Sequence, residues 1–278
     1  MSESTLQLIK AFFLGIVEGI TEFLPISSTG HLILVGKWID FASTDSKVFE
    51  VVIQLGSILA VMWIFRERLI KLCVGTLQRD PVEMGFMRNL IIAFLPSAII
   101  GFIFIKAIKA LFFQPAVVAV TLILGGFIML WVERTRPGGQ SAGSSVTATT
   151  LESISWKQAL VVGCAQCLAM IPGTSRSGAT IIGGMLAGIN RKTATEFSFF
   201  LAMPTMMAAA GYDMFKNASL ISQADMLAIA VGFASAFFSA LVVVRAILAF
   251  ISKHTYRAFG WYRILLGVVV AVWLYRLG

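Results

Sequence analysis

GIVEGITEFLPISSTGH, residues Gly15 to His31, puts two carboxylates where they are costly: Glu18 and Glu22 lie in an apolar run with no Lys or Arg between Lys10 and Lys37. An ionisable group inside a membrane-length apolar segment costs about 3 kcal/mol or more, so it faces a partner, a water-filled cavity or a substrate. Four residues apart, the two acids share a helix face, where like charges repel unless a cation, a proton or a ligand relieves them. Something positive is needed nearby. Pro25 interrupts the run, and Ser27, Ser28 and Thr29 are N-cap residues for a second run from Gly30 to Phe41. The first run, Ala11 to Leu24, would be about 21 Å long, too short for a hydrocarbon core of about 30 Å. Two half-length helices around a Pro25-to-Thr29 turn predict a re-entrant hairpin, tolerated only where its broken backbone is buried or lines a cavity.

The surrounding chain sets the medium. Of 278 residues 58% are hydrophobic and only 13% charged, with mean hydropathy +0.88, against about a quarter charged in soluble domains. The expected class is an all-α polytopic membrane protein. The net charge of +8 does not point to nucleic acid, because the basic residues cluster between apolar runs rather than on an aromatic-studded basic face. No cleavable signal is expected, since the N-terminus lacks a basic n-region and a small-residue cleavage site. Cys73, Cys164 and Cys167 make no disulfide framework, and the Cys164-x-x-Cys167 pair sits in an apolar helix without a second pair or a nearby His.

Further along, spans are expected at Val48–Phe65, Asn89–Ile105 and Pro115–Val132, with a basic loop bearing Arg66, Arg68, Lys71, Arg79 and Arg88 between the first two. Residues 137–153, rich in Gly, Ser and Thr, read as a flexible linker between halves at 1–136 and 154–278 of one membrane domain. The second half repeats the first. A short run, Gln158–Ile171, is stopped by Pro172. GTSRSGAT follows, then a second short run, Ile181–Ile189, and spans at Phe197–Tyr212, Met226–Val244 and Ala258–Tyr275. In register, Pro25 falls opposite Pro172, Ser28 opposite Arg176 and Gly30 opposite Gly178.

A hairpin plus three spans per half implies two inverted-topology repeats, whose broken helices meet at the midplane to form a binding site. The side with the loops near 66–88, 134–157, 191–192 and 245–263 carries twice as many Lys and Arg as the side with both termini. By the positive-inside rule the termini are then periplasmic.

Arg176 is the only charge between Lys157 and Arg191, and it would meet the acid pair at the pseudo-twofold axis. A buried structural salt bridge is the plainer alternative. Around Arg176 lie hydroxyls of Thr174, Ser175, Ser177 and Thr180 and a helix N-terminus, a set that suits phosphate. Glu18 and Glu22 suit a divalent cation bridging to phosphate oxygens, with one of them able to act as a base. Ser28, with His31 one turn on, reads as a nucleophile and proton carrier, although a Ser at such a turn is commonly just an N-cap. Ser27, Thr29 and Gln54 are further candidates to touch the substrate, and the Phe- and Met-rich stretch 197–215 could wall a lipid tail or simply pack helices.

E-x-x-x-E followed by P-x-S-S-T-G-H, Glu18 to His31, together with P-G-x-S-R-S-x-x-T, Pro172 to Thr180, resembles the undecaprenyl pyrophosphate phosphatase family, the bacitracin-resistance proteins. The resemblance runs over essentially the whole chain. It implies a multi-pass enzyme of the bacterial inner membrane that hydrolyses undecaprenyl pyrophosphate to undecaprenyl phosphate and phosphate, recycling the carrier lipid for peptidoglycan and cell-wall biogenesis, with consequences for cell shape and bacitracin resistance. It also implies dependence on Mg²⁺ or Ca²⁺, an acidic pair at Glu18 and Glu22, a nucleophile at Ser28, a proton carrier at His31 and a pyrophosphate clamp at Arg176. The expected partners are the lipid pyrophosphate and membrane lipids, with a homodimer left open. A polyprenyl-phosphate flippase or transporter on the same inverted-repeat architecture is the alternative, since fold does not settle function.

Overall fold

The computed structural model describes residues 3–41, 46–112, 114–136, 146–217 and 226–277. Eleven α-helices run in order along the described residues: α1 (Glu3–Thr21), α2 (Ser28–Trp38), α3 (Ser46–Ile64), α4 (Arg66–Leu77), α5 (Pro81–Phe112), α6 (Pro115–Thr135), α7 (Trp156–Leu168), α8 (Arg176–Leu186), α9 (Arg191–Asn217), α10 (Met226–Ile251) and α11 (Arg257–Leu277). Five of them, α1, α5, α6, α10 and α11, are long and apolar enough to cross a membrane, or six spans if α3 and α4 form one broken span. These helices fit a multi-pass membrane protein. Their outward faces carry large apolar side chains, among them Phe102 (85% exposed) and Phe238 (64% exposed), as helices facing hydrocarbon require.

The helix boundaries follow local chemistry. Pro115 occupies the first turn of α6 after an extended Gln114, where a missing N–H costs nothing. Asp80 Oδ1 accepts the Val82 N–H at 2.8 Å and opens α5. Ser155 and Gln158 form a complete capping box at α7.

Three expectations change. α1 begins at Glu3, eight residues ahead of the expected start, and its 19 residues make about 28 Å at 1.5 Å per residue, nearly a full span. The polar residues before Ala11 continue the helix instead of ending it. The basic stretch after Arg66 is the helix α4, and α5 starts at Pro81 rather than Asn89. Residues 137–145 of the expected flexible linker lie outside the described residues, but its second half is pinned. Ala148 is fully buried and forms a parallel bridge with Ile189, Thr147 donates its N–H to the Gly188 carbonyl (3.1 Å) and Asn190 to that of Ala148 (3.0 Å).

The chain divides into two compact units that do not follow the sequence halves. One comprises residues up to Phe23, Ser28–Arg66 and Ala202–Ile247. Its core gathers Ala11, Leu14, Leu32, Phe49, Ile53, Ala228 and Ala236. Here α1 lies directly against α10: a Cβ on Gly19 would stand 2.8 Å from the Ala240 nitrogen, so only glycine permits that approach. The other unit comprises Leu24–Ser27, Glu67–Leu201 and residues from Leu248 onward. It is tied by buried polar pairs. Gln166 of α7 donates to Ser97 of α5 (2.6 Å), and Asn89 donates to the Ile154 carbonyl (2.6 Å). Arg191 grips Glu133 with two bonds, 2.9 and 2.6 Å, while the Tyr256 N–H donates to the same carboxylate at 2.8 Å.

Candidate functional site

The last turn of α1 carries Glu18, fully buried, and Glu22, 7% exposed, follows directly after the helix end. Helical bonding runs one step past the end of α1, since the Glu22 N–H donates to the Glu18 carbonyl (2.9 Å). The chain then turns through Leu24–Ile26, closed by an Ile26 N–H to Leu24 carbonyl bond of 2.8 Å. It enters α2 through Ser27, whose φ is +72°. Ser28 is the first residue of α2, and its hydroxyl donates to Glu22 Oε2 at 2.5 Å in a buried setting. His31, buried, stands one turn further along α2, with Thr29 half-buried between them and Gln54 half-buried on α3.

The second turn is built in the same way. α7 ends at Leu168, the chain passes Gly173 at φ +85°, and Ser175, φ +71°, precedes Arg176, the first residue of α8. A non-glycine residue with such a φ costs about 1–3 kcal/mol and persists only where its surroundings over-determine it. Both serines that immediately precede the singled-out residues Ser28 and Arg176 are held this way. α2 and α8 are also equal in length at 11 residues each, whereas α1 at 19 and α7 at 13 are not.

Three hydroxyls around Arg176, those of Ser175, Ser177 and Thr180, already have partners within the protein. Ser175 Oγ accepts the Gly178 N–H (3.1 Å) as the cap of α8 and shares a bond with Ser177 Oγ (3.1 Å). Ser177 Oγ donates to the Leu24 carbonyl at 2.9 Å, so the two turns are bonded to each other. Thr180 Oγ1 bonds Ser198 Oγ at 2.7 Å and donates to the Arg176 carbonyl at 2.9 Å. With their protons drawn toward protein acceptors, Ser177 and Thr180 shape the turn more than they offer donors to an anion. Arg176 Nη1 donates to the Ser198 carbonyl (3.2 Å), which orients its fork.

Arg263, counted with the basic side near 245–263 although it falls inside the expected span Ala258–Tyr275, lies in α11, 1% exposed, and its guanidinium donates to carbonyls of both turns, Pro25 (3.2 Å) and Thr174 (2.9 Å) among them. Its signal was present in the sequence: it is the one charge between Arg257 and Arg276, and the rule that singles out Arg176 singles it out too. Reassigning one cation leaves the charge asymmetry between the two sets of loops nearly unchanged.

Among the described residues no group of three or more His, Cys, Asp and Glu could hold a metal ion. The buried Glu18 and Glu22 pair, on one helix face, nonetheless fits a hard cation such as Mg²⁺, which binds through one or two carboxylates and takes its remaining ligands from water and phosphate. The three cysteines are free thiols, and Cys164 is exposed.

Comparison with known proteins places this geometry. The model of the bacitracin resistance protein BacA family matches residues 11–269. A Bordetella petrii protein named undecaprenyl-diphosphatase is 68% identical, over 99% of each chain. Shewanella oneidensis undecaprenyl-diphosphatase 2 is 58% identical over 94% of this chain and 96% of its own. An undecaprenyl-diphosphatase of Acinetobacter baumannii is 54% identical over 96% and 95%. With a match spanning both hairpin turns and nearly every helix between and around them, the chain belongs to the bacitracin resistance protein BacA family.

Proposed function

We propose that this protein removes the terminal phosphate of undecaprenyl pyrophosphate in the bacterial inner membrane, returning undecaprenyl phosphate to cell-wall synthesis. The observation that carries the reading is the buried 2.5 Å bond from Ser28 to Glu22, in a chain whose relatives are named for that activity. A transporter needs only to bind and release, and has no use for a hydroxyl paired with a buried base.

In the proposed reaction Ser28 Oγ attacks the terminal phosphorus while its proton passes to Glu22. The bond from that phosphorus to the bridging oxygen breaks, undecaprenyl phosphate leaves, and water then releases phosphate from the seryl ester and restores Ser28. Arg176, a planar fork at the positive end of α8, neutralises the phosphoryl oxygens as charge builds. His31 carries protons to and from the same turn. A divalent cation held by Glu18 and Glu22 would supply further charge neutralisation at the phosphate oxygens. Support for joining these residues in one reaction comes from the sequence: Ser28 and Arg176 fall at matching places in the two halves, each directly after a serine with φ near +70°.

The repeats are proposed to be inverted, with both termini periplasmic. The matching strained serines support equivalence of the two turns. Phosphate release from undecaprenyl pyrophosphate in detergent tests the function, comparing wild type, Ser28→Ala and wild type with chelator. Release that is lost in the variant and suppressed by chelator is expected, together with a phosphoserine trapped at Ser28 in wild type. A fully active Ser28→Ala would transfer the attack to water, and lipid transfer in vesicles without phosphate release would favour a flippase.

A further inference from the structure

Arg263 is a buried cation that salt bridges do not explain. Among the described residues no carboxylate pairs with it. Each of its four Nη hydrogens instead has a main-chain carbonyl: Nη1 donates to Pro25 (3.2 Å) and Thr174 (2.9 Å), Nη2 to Thr121 (3.2 Å) and Gly173 (3.0 Å). Thr121 belongs to α6 and itself donates to the Pro172 carbonyl at 2.7 Å. The fork thus closes on both hairpin turns and on the helix beneath them.

The carbonyls it takes are placed where they matter. Pro25 lies two residues before Ser27, and Gly173 and Thr174 lie directly before Ser175, the two serines with φ near +70°. Backbone in that region stays put only if something outside it fixes the flanking peptides. The fork also has a seat. A Cβ on Gly125 would stand 2.8 Å from Arg263 Cζ, and one on Gly178 would stand 3.1 Å from Nη1. Gly178, the position in register with Gly30, leaves the space that this guanidinium occupies.

We propose that Arg263 is a positioning residue: seated against Gly125 and Gly178, it pins the Leu24–Ser27 and Gly173–Ser175 turns to each other, and so fixes the backbone from which Ser28 and Arg176 project. It is no phosphate ligand, because its Nη hydrogens are already committed. The effect on turnover rests on the phosphatase reading above, whereas the pinning does not.

The test compares wild type with Arg263→Lys, Arg263→Ala and Gly125→Ala in detergent. The readouts are phosphate release from undecaprenyl pyrophosphate, unfolding temperature, and amide hydrogen exchange across both turns. An ammonium carries the charge of Arg263 but not its fork, so Arg263→Lys should lower kcat by about tenfold or more with KM changed by less than about threefold. Exchange should quicken in residues 24–28 and 173–177 while the helical amides of α6 and α11 keep their protection. Gly125→Ala, which displaces the guanidinium without removing it, should give the same pattern. Wild-type turnover and exchange in Arg263→Lys and Gly125→Ala would overturn the proposal. So would uniform loss of protection or of the fold in all three variants, which would make Arg263 a general stability element. A wild-type protein without phosphatase activity would sink the phosphatase reading, and the exchange comparison would still decide the pinning.

Discussion

Replacing Glu22 by Gln removes the proposed proton acceptor with almost no change of shape, and with it one of the two carboxylates proposed to hold a cation. The amide has the volume of the carboxylate and retains a carbonyl that can accept the Ser28 hydroxyl, so the contact seen at 2.5 Å survives as a neutral bond weaker by about 1 kcal/mol. What disappears is the ability to take the proton away, so release is measured at saturating Mg²⁺ to offset the weakened hold on a cation. A positioned general base contributes about 10²–10⁴ in rate, or about 3–5 kcal/mol of barrier. Phosphate release should therefore fall by two to four decades, on the order set by that range, while the unfolding temperature in detergent moves by only a few degrees, roughly the shift expected for a 1 kcal/mol change. The assay is phosphate release at saturating undecaprenyl pyrophosphate, repeated as a single turnover so that slow product release cannot mask the chemical step. A Glu22→Gln enzyme within about tenfold of wild type would refute the base assignment, since that loss is below the range such a group supplies. A fall in rate matched by a fall in folded protein would refute it equally.

Arg176→Lys should cost about tenfold or more in kcat/KM, because a point charge cannot reproduce a fork on phosphate; near-normal turnover would remove the clamp. Glu133→Ala should destabilise the fold by about 3–5 kcal/mol, because it leaves Arg191, with a side chain only 15% exposed, without its carboxylate. Unfolding in detergent would show this, with turnover per folded molecule unchanged. Burial pushes the Tyr256 hydroxyl above its ordinary value of 10.0, and its oxygen is bonded to Thr195 Oγ1 at 2.5 Å. The native state then holds a proton that the unfolded chain releases. The contribution is complete below about pH 10 and is lost as the pH rises beyond it, so wild type should melt earlier on alkaline titration and Tyr256→Phe should lose that limb of the curve.

Much of the architecture was legible in hydropathy and in helix punctuation. The class, the order of the helices, the prolines at the two turns and the span from Pro115 depend on properties a residue carries into any context: apolar area, the φ restriction of proline and the capping reach of Ser. The motif residues Glu18, Glu22, Ser28, His31 and Arg176 stood out because a charge or a paired hydroxyl in an apolar run demands a reason. The misplaced boundaries have equally local causes. The polar stretch before Ala11 and the basic stretch after Arg66 contain good helix formers, and polarity alone does not end a helix.

Sequence by itself determined that this chain is made of apolar helices, with two proline-marked turns flanked by acids, a serine and an arginine, because burial of apolar surface and helix propensity are written residue by residue. Tertiary structure alone decided which partners the buried polar groups take. It gave the Ser28 proton to Glu22, used Ser177 to join the two turns, docked residues 146–153 beside Ile189, and placed Arg263 beneath Pro25, Gly173 and Thr174. Those choices are non-local: a buried donor must find an acceptor somewhere, and which one it finds depends on segments brought together from as many as 238 positions apart along the chain.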